Sequence, residues 1–302
     1  MRSHNLFILQ MKKIKNYLLV FGLTVTLVAQ AQEKSISGIV AARLVSPDGA
    51  TTAFVLVDSA KPTVAVTATS ATADTLVPRN QVTLNGSPTE TSLGGALKVT
   101  VGSVKIGETN QPFKSLPITA VAFKDASTSA GNYVQLAGVT FATDKFDSSG
   151  TAQVKAEDGS TVSLLVGKGA AGRETPKGVT DVFGVVVKSG GEWKLAAARV
   201  LPANRKAMQE LATKATCMGC HNPDARVVAG TPLIGPTLRE VAAHYRNDPD
   251  AAAKLIAQMK TGGQGKWGQI PMPPLASAVT PDDMQRLAAW ILSYRWDAIL
   301  AE

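Results

Sequence analysis

Cysteine is scarce in this chain of 302 residues: there are two, Cys217 and Cys220, three positions apart. Neither stands directly behind the N-terminal apolar run, which excludes a lipid anchor on a processed N-terminus. Histidine is limited to His4, His221 and His244. Aromatic residues make up 5% of the chain, too few to build stacking platforms for nucleic-acid bases. A large excess of one charge is also missing. Arg2, Lys12, Lys13 and Lys15 lie in the first 31 positions, where no acid falls, so 27 basic residues face 23 acidic ones in the remainder. That balance makes no case for nucleic acid as a partner.

The apolar run at the N-terminus is itself short. "MKKIKNYLLVFGLTVTLVAQA" (Met11–Ala31) opens with three lysines, runs apolar from Tyr17 to Val28 and ends in Ala29-Gln30-Ala31. This is the pattern of a secretory signal cut before Gln32, with a core too short for a membrane span. Residues 1–10 read as an upstream extension. The expected product is periplasmic, has no transmembrane helix and is about 270 residues long, enough for two or three domains. Export places both cysteines in an oxidising space.

What is present divides near residue 204. From Ser35 to Ala203 the chain is rich in Val, Thr, Ala and Gly in short alternating runs such as "TTAFVLVD", "QVTLNG", "YVQLAGVTF" and "DVFGVVV", which read as strands. This half repeats. "LVPRNQVTLNG" (Leu76–Gly86) lines up with "ETPKGVTDVFG" (Glu174–Gly184), and "GGALKV" (Gly94–Val99) with "GGEWKL" (Gly190–Leu195). Asp58 and Asp158 fall at matching turns, and Gly38 and Gly138 at matching early strand positions. A period near one hundred residues means two copies of a small β-domain rather than a solenoid. Five strands with an early glycine bend resemble the OB-fold, a small Greek-key barrel; a β-sandwich is the competing architecture. Thr109–Asn132 reads as a linker with a short helix around Ala120–Lys124. The few aromatics sit at alternating positions that suit a core, so the β half is expected to dock or space rather than bind bases.

After Asn204 the runs become helical, and here lies "ATCMGCH". A structural zinc site needs four ligands, and beyond the motif only His244 follows the leader. A thioredoxin-type pair sits in a βαβ setting and has no use for the adjacent histidine. C-x-x-C-H behind a helix reads as covalent haem attachment, with two thioethers and His221 against the iron. A low-spin carrier needs a sixth ligand, usually a Met sulfur. Met208, Met259 and Met284 lie in helical patterns, where methionine fills core, and Met218 lies inside the attachment loop. Met272 lies in "GKWGQIPMPPL", where Pro271, Pro273 and Pro274 forbid helix and central strand.

From about Arg205 to Leu300 the chain resembles the small class I cytochromes c of bacteria, on "TCMGCH", "LIGPTL", "GQGKWGQIPMPP" and "VTPDDMQRLAAWILS". The resemblance implies one covalent haem c carried by Cys217 and Cys220, with iron ligated by His221 and Met272. It also implies a carbonyl near Pro236 that fixes the His221 tautomer, and Trp267 as donor to a propionate. The last helix is expected to start with Thr280 as N-cap, Pro281 at its first position and Asp283 in the capping-box place. Leu287, Trp290, Ile291 and Tyr294 should form its apolar stripe, crossing the first helix near Leu211. Relatives often carry Asn after Met-Pro-Pro and Arg near the end of the third helix; here Leu275 and Gln258 stand there.

The expected architecture is multidomain: a signal peptide at 1–31, OB-like all-β barrels at 35–108 and 133–203 around the linker at 109–132, and an all-α class I cytochrome c domain at 204–302. The expected function is electron transfer to or from a redox protein such as a dehydrogenase or terminal oxidase, with no catalytic residue and the β-domains as docking or tethering module. The alternatives are a haem sensor or haem enzyme with a displaceable Met272, and a β-domain binding protein with an accessory cytochrome. His244 reads as a solvated surface histidine, and Lys254, Lys260 and Lys266 as a candidate positive rim beside the distal loop.

Overall fold

The computed structural model describes residues 34–300, apart from 46–48, 57–63, 69–71, 73–74, 90–96, 110, 112, 229 and 276–278. The expected signal peptide, Asp58 and Gly94 lie outside the described residues.

The first copy is a closed barrel. Strands β1 (Lys34–Val45), β2 (Thr51–Leu56), β3 (Val64–Ala68), β4 (Gln81–Thr89) and β5 (Leu97–Ile106) pair in the order β1-β2-β3-β5-β4 and return to β1. All pairs are antiparallel except β3 with β5. The second copy uses the same connectivity. β7 (Tyr133–Phe141), β8 (Thr151–Lys155), β9 (Thr161–Leu165), β10 (Thr180–Ser189) and β11 (Glu192–Pro202) pair as β7-β8-β9-β11-β10, closing through β10 on β7, again with the third and fifth strands parallel. Both are five-stranded Greek-key barrels of the OB type. The single-sheet closure excludes the sandwich, because each fifth strand pairs with both the third and the fourth.

The repeat extends to local irregularities. The register slips between Asn85 and Gly86 in β4 and between Phe183 and Gly184 in β10, the glycines aligned in sequence. A bulge needs an unpaired residue and lets the partner backbone approach. At Gly184 a Cβ would lie 2.2 Å from the Ala196 carbonyl oxygen. The linker is not wholly irregular. Its β6 (Leu116–Ile118) adds in parallel to β7, and Val121–Asp125 forms a 3-10 turn that buries Phe123.

Strand periodicity explains how two barrels share one wall. Along β2, Ala53 and Val55 point into the first barrel, while Phe54 and Leu56 point out against the second. Along β10, Val182 and Val186 fill the second barrel, and Val185 and Val187 face the first. Both faces are covered, so these strands are apolar nearly throughout, and the alternation weakens in the sequence.

The helical part follows: α1 (Arg205–Lys214), the short hairpin β12 (Val227–Val228) and β13 (Thr231–Pro232), α2 (Leu238–His244), α3 (Ala251–Thr261), α4 (Pro281–Ser293) and α5 (Arg295–Ile299). Helix α4 starts where its sequence requires. Thr280 accepts a hydrogen bond from Asp283 N at 3.1 Å, and Pro281 occupies the first position. The Asp283 carboxylate does not close a capping box; it pairs with Arg286 at 3.2 Å. The full box belongs to α2, where Thr237 and Glu240 cap each other. Leu287, Trp290 and Tyr294 are buried, with Met208 and Ala212 of α1 in the same core, and Leu211 and Ile291 pack on its edge. Met208, Met259 and Met284 fill this core as well. Helix α5 leaves it: Trp296, Ile299 and Leu300 join the core of the second barrel, with the Trp296 ring 5.3 Å from Phe146. Among the described residues no helix is long and apolar enough to cross a membrane.

Candidate functional site

The site begins where α1 stops. Thr216 takes a left-handed conformation (φ 63°), and Cys217–Gly219 then form one 3-10 turn. The Cys217 carbonyl accepts from Cys220 N at 3.2 Å and from His221 N at 3.0 Å. That turn brings three sequence neighbours to one cleft, which Cys217, Cys220 and His221 line together. Asn222 ends the turn, its Oδ1 accepting from Asp224 N (2.9 Å) and Ala225 N (3.0 Å). Both cysteines are half-buried. Burial pushes the Cys217 thiol above its ordinary range.

The "LIGP" segment forms the wall behind His221. Gly235 N donates to the Cys220 carbonyl at 2.9 Å. His221 Nδ1 lies 2.7 Å from the Pro236 carbonyl oxygen. A carbonyl only accepts, so Nδ1 carries the proton and Nε2 keeps its lone pair for a metal. Gly235 is required by contact: a Cβ there would stand 2.4 Å from His221 Cε1.

Met272 lines the same cleft from the proline loop. Its backbone is held on both sides, donating to Gly263 O at 2.8 Å and accepting from Gly263 N at 3.0 Å. Leu275 N donates to Met259 O at 2.8 Å, tying the loop to the end of α3. Leu275 packs on the apolar core, and Gln258 lines the cleft. Trp267 is 40% exposed at the rim, its ring 5.2 Å from that of the exposed His244. Two of the three lysines are engaged. Lys254 pairs with Asp248 at 2.7 Å, and Lys266 donates to the Tyr245 hydroxyl at 2.6 Å. Sequence reasoning passed over Tyr245; it lies next to His244, but it is buried and turned into the cleft.

The cleft is walled by Leu238, Val241, Leu255 and Ile270, and its sulfur and imidazole groups are Cys217, Cys220, His221 and two thioethers, Met259 from helix α3 and Met272 from the proline loop. Soft sulfur with imidazole suits haem iron, and paired thiols suit thioether linkage to a haem edge. The residues present therefore fit haem c.

Residues 206–295 match the family model for cytochrome c. The cytochrome c-552 of Nitrosomonas europaea is 39% identical over 100 residues, covering 33% of this chain and 90% of that protein. The cytochrome c-551 of Allochromatium vinosum is 44% identical over 82 residues, covering 27% and 80%. This chain belongs to the cytochrome c family. The crystal structure of wild-type Nitrosomonas europaea cytochrome c552 covers 28% of this chain and 95% of its own, at 42% identity and a TM-score of 0.24. Membership implies a covalently bound haem c with its iron, and a role as electron-transfer haem protein rather than enzyme. The cytochrome c match ends at Arg295, one residue before the chain enters the core of the second barrel at Trp296.

Proposed function

We propose that this protein is an exported, periplasmic one-electron carrier in which Cys217 and Cys220 hold a single haem c, and His221 and Met272 are its axial ligands. In this reading the chain consists of a signal peptide (1–31), two barrel domains (35–108 and 133–203) joined by a linker (109–132), and a cytochrome domain (204–302). The barrels dock or tether the cytochrome to a redox protein, of the dehydrogenase or terminal oxidase kind, at raised effective concentration. The bound haem supplies a one-electron iron couple. The chain's own residues do the rest. Pro236 O orients the imidazole, Gly263 holds the Met272 backbone, Trp267 offers an indole N–H at the rim, and the apolar walls exclude water. The observation that carries the reading is the shared cleft: a tautomer-fixed imidazole and one thioether on a backbone-pinned proline loop.

Met272→Ala tests it. Haem should stay covalently bound, since the thioether links do not depend on this side chain. The low-spin spectrum should be lost and the potential should fall, because thioether ligation favours reduced iron. Met259→Ala and Met284→Ala should cost about 2–5 kcal/mol of stability and keep the native spectrum. A native spectrum in Met272→Ala together with its loss in either helix variant would overturn the ligand set. Carbon monoxide should not bind the reduced wild type; rapid stoichiometric binding would mark a displaceable ligand and a sensor instead.

A further inference from the structure

A second cavity lies away from the haem cleft, where the two barrels meet helices α2 and α5. Its volume is about 320 Å³, and its lining includes Arg79 from the first barrel, Arg199 from β11, and Arg239 and Asp297 from the helical part. Two of the three guanidinium groups are matched. Arg199 donates to Asp224 at 2.6 Å and lies 3.1 Å from Asp297; Arg239 does the same at 2.6 and 3.0 Å. Among the described residues Arg79 has no carboxylate partner; its Nε is buried without a hydrogen-bond acceptor, as are those of Arg199 and Arg239, which keep Asp297 as an ion-pair partner. Burial, and then the charge of Arg239, lowers its pKa, against the opposing pull of Asp224 and Asp297. Three guanidinium groups against Asp224 and Asp297 leave one positive charge in excess.

The backbone makes the same point independently. Arg79 sits at φ 74°, a conformation that residues with a Cβ adopt at a cost and glycine adopts freely. It is pinned there by Arg79 N to Val40 O (2.7 Å) and by Gln111 N to Arg79 O (2.8 Å). A long cationic side chain is thus kept where glycine or asparagine would be easier. The aligned residue of the second copy, Lys177, has a partner in Asp144 at 2.6 Å. A half-buried cation at a strained position, with no carboxylate partner among the described residues, is a functional-site candidate. The rest of the lining is largely apolar and includes Val77, Phe113 and Phe183, with the Ser115 side chain as a further polar group.

We propose that this cavity binds a small organic carboxylate. The carboxylate meets the Arg79 guanidinium, and the apolar body lies against Phe113 and Phe183. Arg199 and Arg239 also hold Asp224, three residues after His221, so the bound anion would sit on the lattice that joins both barrels to the haem-attachment loop.

Benzoate is the probe, titrated calorimetrically into the full-length haem-loaded protein, with phosphate and chloride at matched ionic strength as comparisons. The expected result is one saturable benzoate site, no saturable site for either inorganic ion, and affinity at least about tenfold weaker in Arg79→Gly. Glycine suits φ 74°, so this variant should melt no lower than the wild type without benzoate. Arg79→Asn, which also tolerates that conformation, serves as the second variant and should lose binding equally. Absence of benzoate binding to the wild type, equal binding by phosphate or chloride, or undiminished benzoate affinity in the variants would each overturn the proposal. None of these readouts depends on the axial ligands of the haem.

Discussion

The two barrels share every strand connection and differ in what fills them. Among the described residues, the first is lined by Val40, Ala53, Val55, Leu76, Val82 and Leu84. The core of the second includes Phe123 from the linker and Trp296, Ile299 and Leu300 from the end of the chain. Connectivity alone therefore does not decide how a module behaves. The second barrel is built into the cytochrome through α5 and through Asp181, which accepts from Gln135 and Gly138 N and pairs with Arg205 at the start of α1. The first barrel meets its twin across a wall of small and apolar side chains, Ala41, Ala42, Phe54 and Leu56.

Trp296→Ala should break that contrast most. The ring is 4% exposed in the second barrel's core, so truncation should cost about 3–5 kcal/mol. Chemical unfolding followed by circular dichroism should show the loss in the second barrel. The haem spectrum should persist up to that transition, because the residues of the haem cleft belong to a separate core.

This coupling marks the limit of what the sequence discloses. The candidate haem site was legible because covalent attachment demands a fixed local spacing, C-x-x-C-H, and because the prolines around Met272 set it apart from the helical methionines. The barrels were legible through self-similarity, down to Gly86 and Gly184 at the two bulges. The destination of "RWDAIL" was not. Its apolar residues read equally well as the tail of the preceding helix, and only the fold brings residues 120–200 beside them. The Arg79, Arg199, Arg239, Asp224 and Asp297 cluster was invisible for the same reason: its members come from separate segments of the chain, and no local pattern joins them. Tyr245 hid behind a neighbour of more obvious chemistry.

The aligned glycines Gly38 and Gly138 sharpen the comparison at a single position. They occupy the same place in the repeat for different reasons. At Gly38 a Cβ would stand 2.3 Å from the Leu56 carbonyl oxygen, so alanine forces two strands apart. At Gly138 the space is open, but φ is 71°. Gly38→Ala should cost about 1–3 kcal/mol, as an overpacked site does. Gly138→Ala should cost about 1–2 kcal/mol of backbone strain, and Gly138→Asn should recover most of it. Thermal denaturation of the three variants checks both numbers. Recovery by asparagine at 38 as well would show that the two copies share one constraint after all.

The smallest effect concerns acid. Asp224 joins β11 to α2 through Arg199 and Arg239. Burial raises its pKa, but the two guanidinium groups outweigh burial and hold the carboxyl below its usual range. A folded pKa below the unfolded one means that its contribution is complete above about pH 4. That contribution is lost as pH falls through the depressed value. Asp297 has the opposite sign: burial pushes its carboxyl up against the pull of the same two arginines. Its ionised form costs stability at neutral pH, and that cost shrinks as pH falls. The net acid limb is therefore shallow, and the two substitutions should move it in opposite directions. Asp224→Asn should flatten stability against pH below pH 4, and Asp297→Asn should steepen it, both read as urea midpoints on the haem-loaded protein. Among the described residues, the first barrel contributes no carboxylate to this cluster. Leu84→Ala, which weakens that barrel's own core, should therefore lower the midpoint equally at every pH. A pH-dependent loss in Leu84→Ala would mean that the first barrel is tied to the cytochrome as firmly as the second.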